Sequence, residues 1–331
     1  MNTALTESTL QDQIGRLATL RSAIAQAIVG QDAVVEQLLV ALLAGGHCLL
    51  EGVPGLGKTL LVRSLGQALD LPFRRVQFTP DLMPSDILGT EILEEDHGTG
   101  RRVFKFQPGP VFTSLLLADE LNRTPPKTQA ALLEAMQERT VSYAGVTHAL
   151  PAPFFVLATQ NPLEQAGTYP LPEAQLDRFL LHVRVDYPSE AEERAILAQT
   201  TGSRAAEVPR VMDGDAVLAL QALVREVHVG DDLLAWITRL VRASRPQAGA
   251  SEDVRQWLRW GAGPRAGQSL VLASKARALL HGRLAATRED VAALAAPVMR
   301  HRLLLSFAAE AEQKTTDDVI AGLLRDVPFP A

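Results

Sequence analysis

Apolar side chains recur at helical spacing from residue 14 onward: Ile14, Leu17, Leu20, Ile24 and Ile28. This spacing gathers them on one face of a helix over 14–28. Ile28-Val29-Gly30-Gln31 interrupts the pattern. A second helix is expected over 32–43, with Asp32 in the first turn, where a carboxylate suits the helix dipole. Ala44-Gly45-Gly46 ends it. The pattern then changes to short continuous apolar runs at 48–50, 114–118 and 154–158, as expected of strands buried on both faces of a parallel sheet. Residues 73–78 and 180–185 also have strand character. Helices are predicted between them, at 60–69 and from Pro125-Pro126 to about 139, where prolines suit a first turn and Ala130, Leu133 and Met136 fall at helical spacing. Five strands separated by helices predict a parallel α/β sheet.

Two further stretches read as hairpins. One covers 87–106, with flanks at 91–93 and 102–106 and a turn over 96–100. The other covers 141–148 around Ala144-Gly145. Pro80 and Pro84 mark 79–85 as irregular. From Ser189 the character becomes helical. Ser189-Glu190-Ala191-Glu192 has the form of a capping box, a polar stretch follows over 201–208, and helices are expected at about 215–227, 231–243, 270–281, 291–305 and 319–324, the fourth capped by Thr287-Arg288-Glu289-Asp290. No strand pattern returns. The boundary is placed near Tyr187-Pro188: an α/β domain over 1–187 and a smaller all-helical domain over 188–331.

Composition narrows the class. The 331 residues carry 32 Lys+Arg against 38 Asp+Glu, a net charge of −6, which disfavours non-specific nucleic-acid binding. The single cysteine, Cys48, has no internal disulfide partner and lies in an apolar run, as a small buried hydrophobe would. No secretory leader and no membrane-spanning run is evident, so a soluble cytoplasmic protein is expected. His97, His148, His182, His228, His281 and His301 show no metal-ligand spacing with each other or with Cys48, and no structural metal is assigned. Trp257 and Trp260, read as three apart on one helix, are assigned to packing rather than base stacking.

Gly52-Val53-Pro54-Gly55-Leu56-Gly57-Lys58-Thr59 fits the phosphate-cradling loop G-x-x-x-x-G-K-[ST]. It lies between a buried strand and a helix opening near Leu60, where backbone N–H groups and the helix N-terminus converge on an anion. Glycines let the backbone approach a phosphate closely. Lys58 can reach the β- and γ-phosphates, and the Thr59 hydroxyl can ligate Mg²⁺. Leu60 is grouped with this binding set. Asp119-Glu120 ends a buried strand, where open α/β sheets bind ligands. Asp119 can hold the metal while Glu120 polarises a water, two roles that need separate carboxylates. Asn161, at the end of the next strand, can hydrogen-bond that water or the γ-phosphate. No Asn-Lys-x-Asp guanine-reading motif occurs, which argues against a GTPase.

These stretches, with Ile28-Val29-Gly30-Gln31, the run from Leu117 through Asp119-Glu120-Leu121-Asn122-Arg123-Thr124-Pro125-Pro126 to Gln129, Ala158-Thr159-Gln160-Asn161-Pro162 and the run Leu171-Pro172-Glu173-Ala174-Gln175-Leu176-Asp177-Arg178-Phe179, resemble the AAA+ ATPases, and within them the MoxR group. The likeness is close over about 14–190 and looser beyond. It implies an AAA+ P-loop domain with a five-stranded parallel sheet between helices, followed by a helical lid. It implies that Asn161 is the sensor-1 residue and that Arg178 is an arginine finger reaching the neighbouring subunit's ATP. Gly263-Pro264-Arg265-Ala266 is similar to sensor 2, with Arg265 serving its own site or a neighbour's. Gly30 and Gln31 fall near the adenine, mostly through backbone, or simply in the turn between two helices. Both hairpins correspond to family inserts facing the ring pore or the substrate.

The resemblance further implies a Mg²⁺-dependent ATPase ring, a hexamer, that remodels or matures a client protein, often a metal-dependent enzyme. An adaptor with a von Willebrand factor A domain is the implied partner. The metal-ion-dependent adhesion site would be on that adaptor, since no Asp-x-Ser-x-Ser occurs here. Two alternatives share these inserts: a magnesium-chelatase-type subunit and a nucleic-acid-associated motor. The latter is disfavoured by the acidic balance. A scaffold that binds ATP without hydrolysing it is disfavoured because Lys58 and Glu120 are both present.

Overall fold

In the computed structural model the described residues are 7–53, 55–95, 102–162, 167–200 and 208–329. Pro54 of the phosphate loop, the turn expected at 96–100 and most of the polar stretch 201–208 lie outside them. Helices α1 (Glu7–Ala27) and α2 (Asp32–Leu43) precede β1 (Cys48–Glu51), and α3 (Lys58–Ala68) leads to β2 (Phe73–Gln77). A short α4 (Pro84–Leu88) opens the first hairpin, β3 (Gly89–Glu95) with β4 (Arg102–Pro108). Then follow β5 (Leu115–Asp119), α5 (Pro126–Glu138), the second hairpin β6 (Thr140–Tyr143) with β7 (Val146–Ala149), β8 (Phe155–Gln160), α6 (Glu173–Leu176) and β9 (Leu181–Arg184).

The five expected strands form one parallel sheet in the order β2-β5-β8-β1-β9. Their apolar runs divide residue by residue between two cores, because successive side chains of a strand point to opposite faces. Cys48, Leu50, Leu115, Leu117, Phe155 and Leu157 join the core of α1, α2 and α3. Leu49, Leu116, Ala118, Val156 and Ala158 join Leu132, Leu133 and Met136 of α5 on the other face. Cys48 is buried without a disulfide partner, and burial pushes its thiol pKa up.

The C-terminal part is α7 (Glu190–Thr200), α8 (Gly214–Glu226), α9 (Asp231–Ala243), α10 (Glu252–Trp257), β10 (Leu258–Trp260), α11 (Pro264–Leu280), α12 (Arg288–Met299), β11 (Leu304–Leu305), α13 (Phe307–Ala311) and α14 (Thr316–Asp326). Both capping boxes read from the sequence form: Ser189 with Glu192, and Thr287 with Asp290. The first core continues through α2 into α8 and α11, so the helical part packs directly on the α/β part.

Several details differ from the sequence pattern. The helical part contains one short antiparallel pair, β10 with β11. Hydrophobic periodicity misses strands of two or three residues. Trp257 therefore ends a helix and Trp260 lies on a strand, 70% exposed, so the two do not share a helical face. The helix expected over 291–305 ends at Met299. A one-turn 3-10 helix, Arg300–Arg302, and then β11 follow. The segment expected to be irregular at 79–85 contains the start of α4, whose first residue is Pro84, and the hairpin strand begins at Gly89 rather than at 87.

His47, just before β1, ties the layers together. Its Nε2 donates to the Met136 carbonyl at 3.1 Å, and its Nδ1 accepts from the Val156 N–H at 3.0 Å. Burial lowers its pKa from 6.5 to about 4. The imidazole is thus neutral in the fold, and the unfolded chain takes up a proton that the folded chain refuses as pH falls below 6.5. Stability from this group is complete above 6.5 and is lost towards pH 4, by about 3 kcal/mol for a shift of this size. Urea unfolding at pH 7 and pH 4.5 checks this: His47→Gln should lose clearly less stability between the two than the parent. An unchanged pH slope would show that His47 is not held neutral.

Candidate nucleotide site

Parallel pairing sets the site. Glu51 is level with Gln160 on one side and Arg184 on the other, and Gln77 is level with Asp119. The carboxyl ends of the strands therefore line up, and Gly52, Asp119-Glu120 and Asn161 emerge along one edge. The Gly52 N–H points to the Gln160 carbonyl at 3.4 Å, which holds the loop's first residue beside Asn161. Asn161 itself is 6% exposed.

Gly55 and Gly57 have φ of 88° and 73°, a left-handed backbone that glycine adopts without a Cβ penalty. Gly57 directly precedes the first turn of α3, so Lys58, Thr59 and Leu60 open that helix. Lys58 Nζ donates to the Gly52 carbonyl at 2.6 Å. Partial burial lowers its pKa, and the nearby charges of Asp119 and Glu120 oppose this. The lysine and both carboxylates thus share one electrostatic environment.

Thr159 organises the acidic pair. Its hydroxyl donates to Asp119 Oδ1 at 2.6 Å and accepts the Glu120 N–H at 2.8 Å. Arg75 donates to the other Asp119 oxygen through Nε at 3.0 Å and through a terminal nitrogen at 2.6 Å. Glu120 has φ 58° and ψ 49°. A non-glycine residue in that region carries strain of a kind that clusters at functional sites. Its carboxylate accepts from Gln77 Nε2 at 2.6 Å and pairs with Arg123 Nε at 3.0 Å.

Beside the loop lies a cleft of about 480 Å³ whose lining includes Ile28, Gln31, Leu56, Leu60, Tyr187 and Leu197. An apolar cleft with one aromatic wall suits a flat heterocycle. Gln31 Nε2 donates to the Leu56 carbonyl at 3.0 Å, so it binds the loop through its side chain. Gly30 has φ 73°, and a Cβ there would collide with Glu192 of α7 at 2.5 Å. The cleft thus lies between the loop and the first helix of the C-terminal part. Val53 follows Gly52 in the loop.

Arg178 and Arg265 are elsewhere. Both line a separate surface pocket of about 240 Å³ that also includes Gly45, Gly46 and Arg139. Gly45 and Gly46 precede β1, and the Leu180 N–H donates to the His47 carbonyl at 2.8 Å. The pair therefore sits at the amino edge of the sheet and the phosphate loop at the carboxyl edge. The four residues of β1 separate them, roughly 13 Å along the strand. Arg265 makes an ion pair with Asp177 at 3.4 Å, next to Arg178.

Sequence reading missed Thr159, Arg75, Gln77 and Arg123. Thr159 left one signal, a polar residue continuing a buried apolar run. Arg75 and Gln77 are polar residues that only the strand register brings to the carboxylates, and Arg123 reaches Glu120 from the one-turn 3-10 helix that follows it, three positions on. Tyr187 and Leu197 were missed as cleft residues because they stand about 130 positions from the loop.

The family model described as ATPase family associated with various cellular activities (AAA) matches residues 47–181, and the AAA lid domain model matches 250–323. The chain is 44% identical to Chaperone MoxR1 of Mycobacterium tuberculosis over 304 residues, 92% of this chain and 79% of that protein. It is 34% identical to Protein MoxR of Paracoccus denitrificans, covering 98% and 99% of the two chains. The crystal structure of a candidate ATPase from Cytophaga hutchinsonii superposes with a TM-score of 0.91 at 38% identity, over 98% of each chain. The chain belongs to the MoxR family of AAA+ ATPases.

The Thr159 bridge can be tested directly. Thr159→Val keeps the shape and leaves Asp119 Oδ1 and the Glu120 N–H without this partner, which should cost about 1–3 kcal/mol in chemical denaturation. A loss below about 0.5 kcal/mol would mean that the hydroxyl is not holding the pair.

Proposed function

We propose that the chain is a Mg²⁺-dependent ATPase that works as a ring and remodels a client protein. The observation that carries this reading is the division of charged and polar groups between the two sheet edges. Lys58, Asp119, Glu120 and Asn161 gather at one edge, and Arg178 and Arg265 at the other. A chain that cannot fold its own arginines onto its own loop can present them to a neighbour's. The same argument favours the neighbouring site for Arg265. The nucleotide-binding part is taken as residues 1–187 and the lid as 188–331.

In this reading the loop Gly52, Val53, Pro54, Gly55, Leu56 and Gly57 wraps the phosphates, with backbone N–H donors from its residues other than Pro54, which has none. Gly30, Gln31 and Leu60 border the adenine. Lys58 bridges to the β- and γ-phosphates, Asn161 orients the attacking water, and Glu120 accepts its proton. The neighbour's Arg178 stabilises charge on the transferred phosphoryl group. Mg²⁺ fits the donor set: it takes oxygen ligands and retains water, so one or two protein oxygens suffice beside phosphates. Thr59 and Asp119 offer a hydroxyl and a carboxylate, and among the described residues no larger cluster of His, Cys, Asp or Glu competes as a metal cage. When bound, the ion would neutralise phosphate charge.

The relative named as a chaperone supports a remodelling task. A hexamer, a von Willebrand factor A domain adaptor and a metal-enzyme client remain part of the proposal through family likeness. A cytoplasmic location is proposed too; among the described residues no helix is long and apolar enough to cross a membrane.

Two variants test the site. Arg178→Ala should keep ATP binding and lose at least about a hundredfold in phosphate release; near-parental turnover would remove the finger. Glu120→Gln should hold ATP without releasing phosphate, and rapid turnover by that variant would exclude Glu120 as the base.

A further inference from the structure

Three consecutive residues of the C-terminal part, Arg300, His301 and Arg302, reach back to the segment that carries Arg178. Arg300 donates to the His182 carbonyl at 3.0 Å, and His301 Nε2 meets the Phe179 carbonyl at 3.1 Å. Arg302 makes most of these ties. Its terminal nitrogens donate to the carbonyls of Phe179 at 2.7 Å, Leu180 at 3.2 Å and Asp177 at 3.3 Å. They also reach the Val298 carbonyl and the Ser269 hydroxyl on α12 and α11. Its Nε donates to Asp177 Oδ1 at 2.7 Å, while Asp177 Oδ2 faces Arg265.

The Arg302 side chain is only 3% exposed. A buried guanidinium is costly unless its donors are satisfied, and here its planar fork is spent on backbone carbonyls on both sides of Arg178. Lysine has one ammonium in place of the fork and cannot reproduce that pattern. A structural staple could lie anywhere along the contact between the two parts. This one converges on residues 177, 179 and 180, and through Asp177 it also touches Arg265.

We propose that Arg302 is a positioning residue for hydrolysis: it fixes the Arg178 segment to the lid, so that Arg178 and Arg265 move with the lid as one unit against the neighbouring subunit's nucleotide. This rests on the trans-acting assignment of Arg178. Arg302 itself touches no nucleotide in this scheme. Loss of its fork lets Arg178 drift, and a misplacement of about 1 Å at a reacting group can cost about 10²-fold in rate.

The test uses the full-length protein with ATP and phosphate-release kinetics. Arg302→Lys should lower kcat about 10- to 100-fold with KM for ATP little changed, because its own loop is intact. A mixed-ring experiment separates positioning from general damage. Lys58→Ala subunits keep a sound Arg178 segment but cannot use ATP. Mixed with Arg302→Lys subunits, they should restore turnover above the sum of the two proteins alone. Arg178→Ala is the control and should be rescued in the same way. If Arg178→Ala is rescued but Arg302→Lys is not, or if Arg302→Lys keeps the parental kcat, the positioning assignment is wrong while the trans site stands. If Arg178→Ala stays active or is not rescued, the trans site fails and this inference falls with it. Should Arg302→Lys not fold, as judged by circular dichroism, Asp177→Asn replaces it; that carboxylate is one-third exposed. It should lower kcat and be rescued likewise, and unchanged kcat would overturn the inference.

Discussion

The register of the parallel strands is the constraint on which the rest depends. Leu50 level with Thr159, Gln77 with Asp119 and Ala118 with Ala158 bring groups from distant parts of the chain to one edge. A slip of one residue would send every apolar side chain to the opposite core, so the two cores enforce the register. The alignment of Gly52, Asp119 and Asn161 is then a consequence of hydrophobic packing rather than of attraction among polar groups. The polar groups are fastened afterwards by Thr159, Arg75 and Gln77, whose hydrogen bonds occupy the acidic pair from several sides.

The same sheet separates what it does not gather. The strands are four to six residues long, so their two edges are more than a side chain apart. Groups at the amino edge cannot serve the loop at the carboxyl edge within one chain. On the proposed reading, each chain then carries one half of two sites. Its lid bears on both halves: Gly30 and the cleft abut α7, while Arg302 grips the segment around Arg178. A lid packed on the α/β part through one continuous core is a means of linking the two edges mechanically.

The hairpins show how far local pattern reaches. Both were legible as paired strands, and the second turns at Ala144-Gly145 with φ of 48° and 82°, a tight reversal that places even an alanine at positive φ. Their contact with each other was not legible. Phe106 of β4 stacks on His148 of β7 at 4.2 Å and lies near Tyr143 and Phe112. The outer part of the first hairpin has no such cover: Leu93 and Phe104, directly paired across its strands, are 52% and 71% exposed. Spacing within either hairpin carries no information about the other.

The sequence by itself determined the elements whose cause is local. Continuous apolar runs meant strands buried on both faces, and Ser189 and Thr287 with their acidic partners meant helix starts, because each depends on neighbours a few positions apart; the proposed phosphate role of the glycine-lysine-threonine loop rests on a pattern that is local in the same way. The order of the five strands, the Thr159 bridge, the cleft wall at Tyr187, the distance between Arg178 and the loop, and the grip of Arg302 were decided only by the tertiary structure. Each joins residues tens to more than a hundred positions apart. Such contacts form when two cores close around a sheet, and a polar side chain in the sequence does not reveal which carbonyl or carboxylate that closure will bring to it.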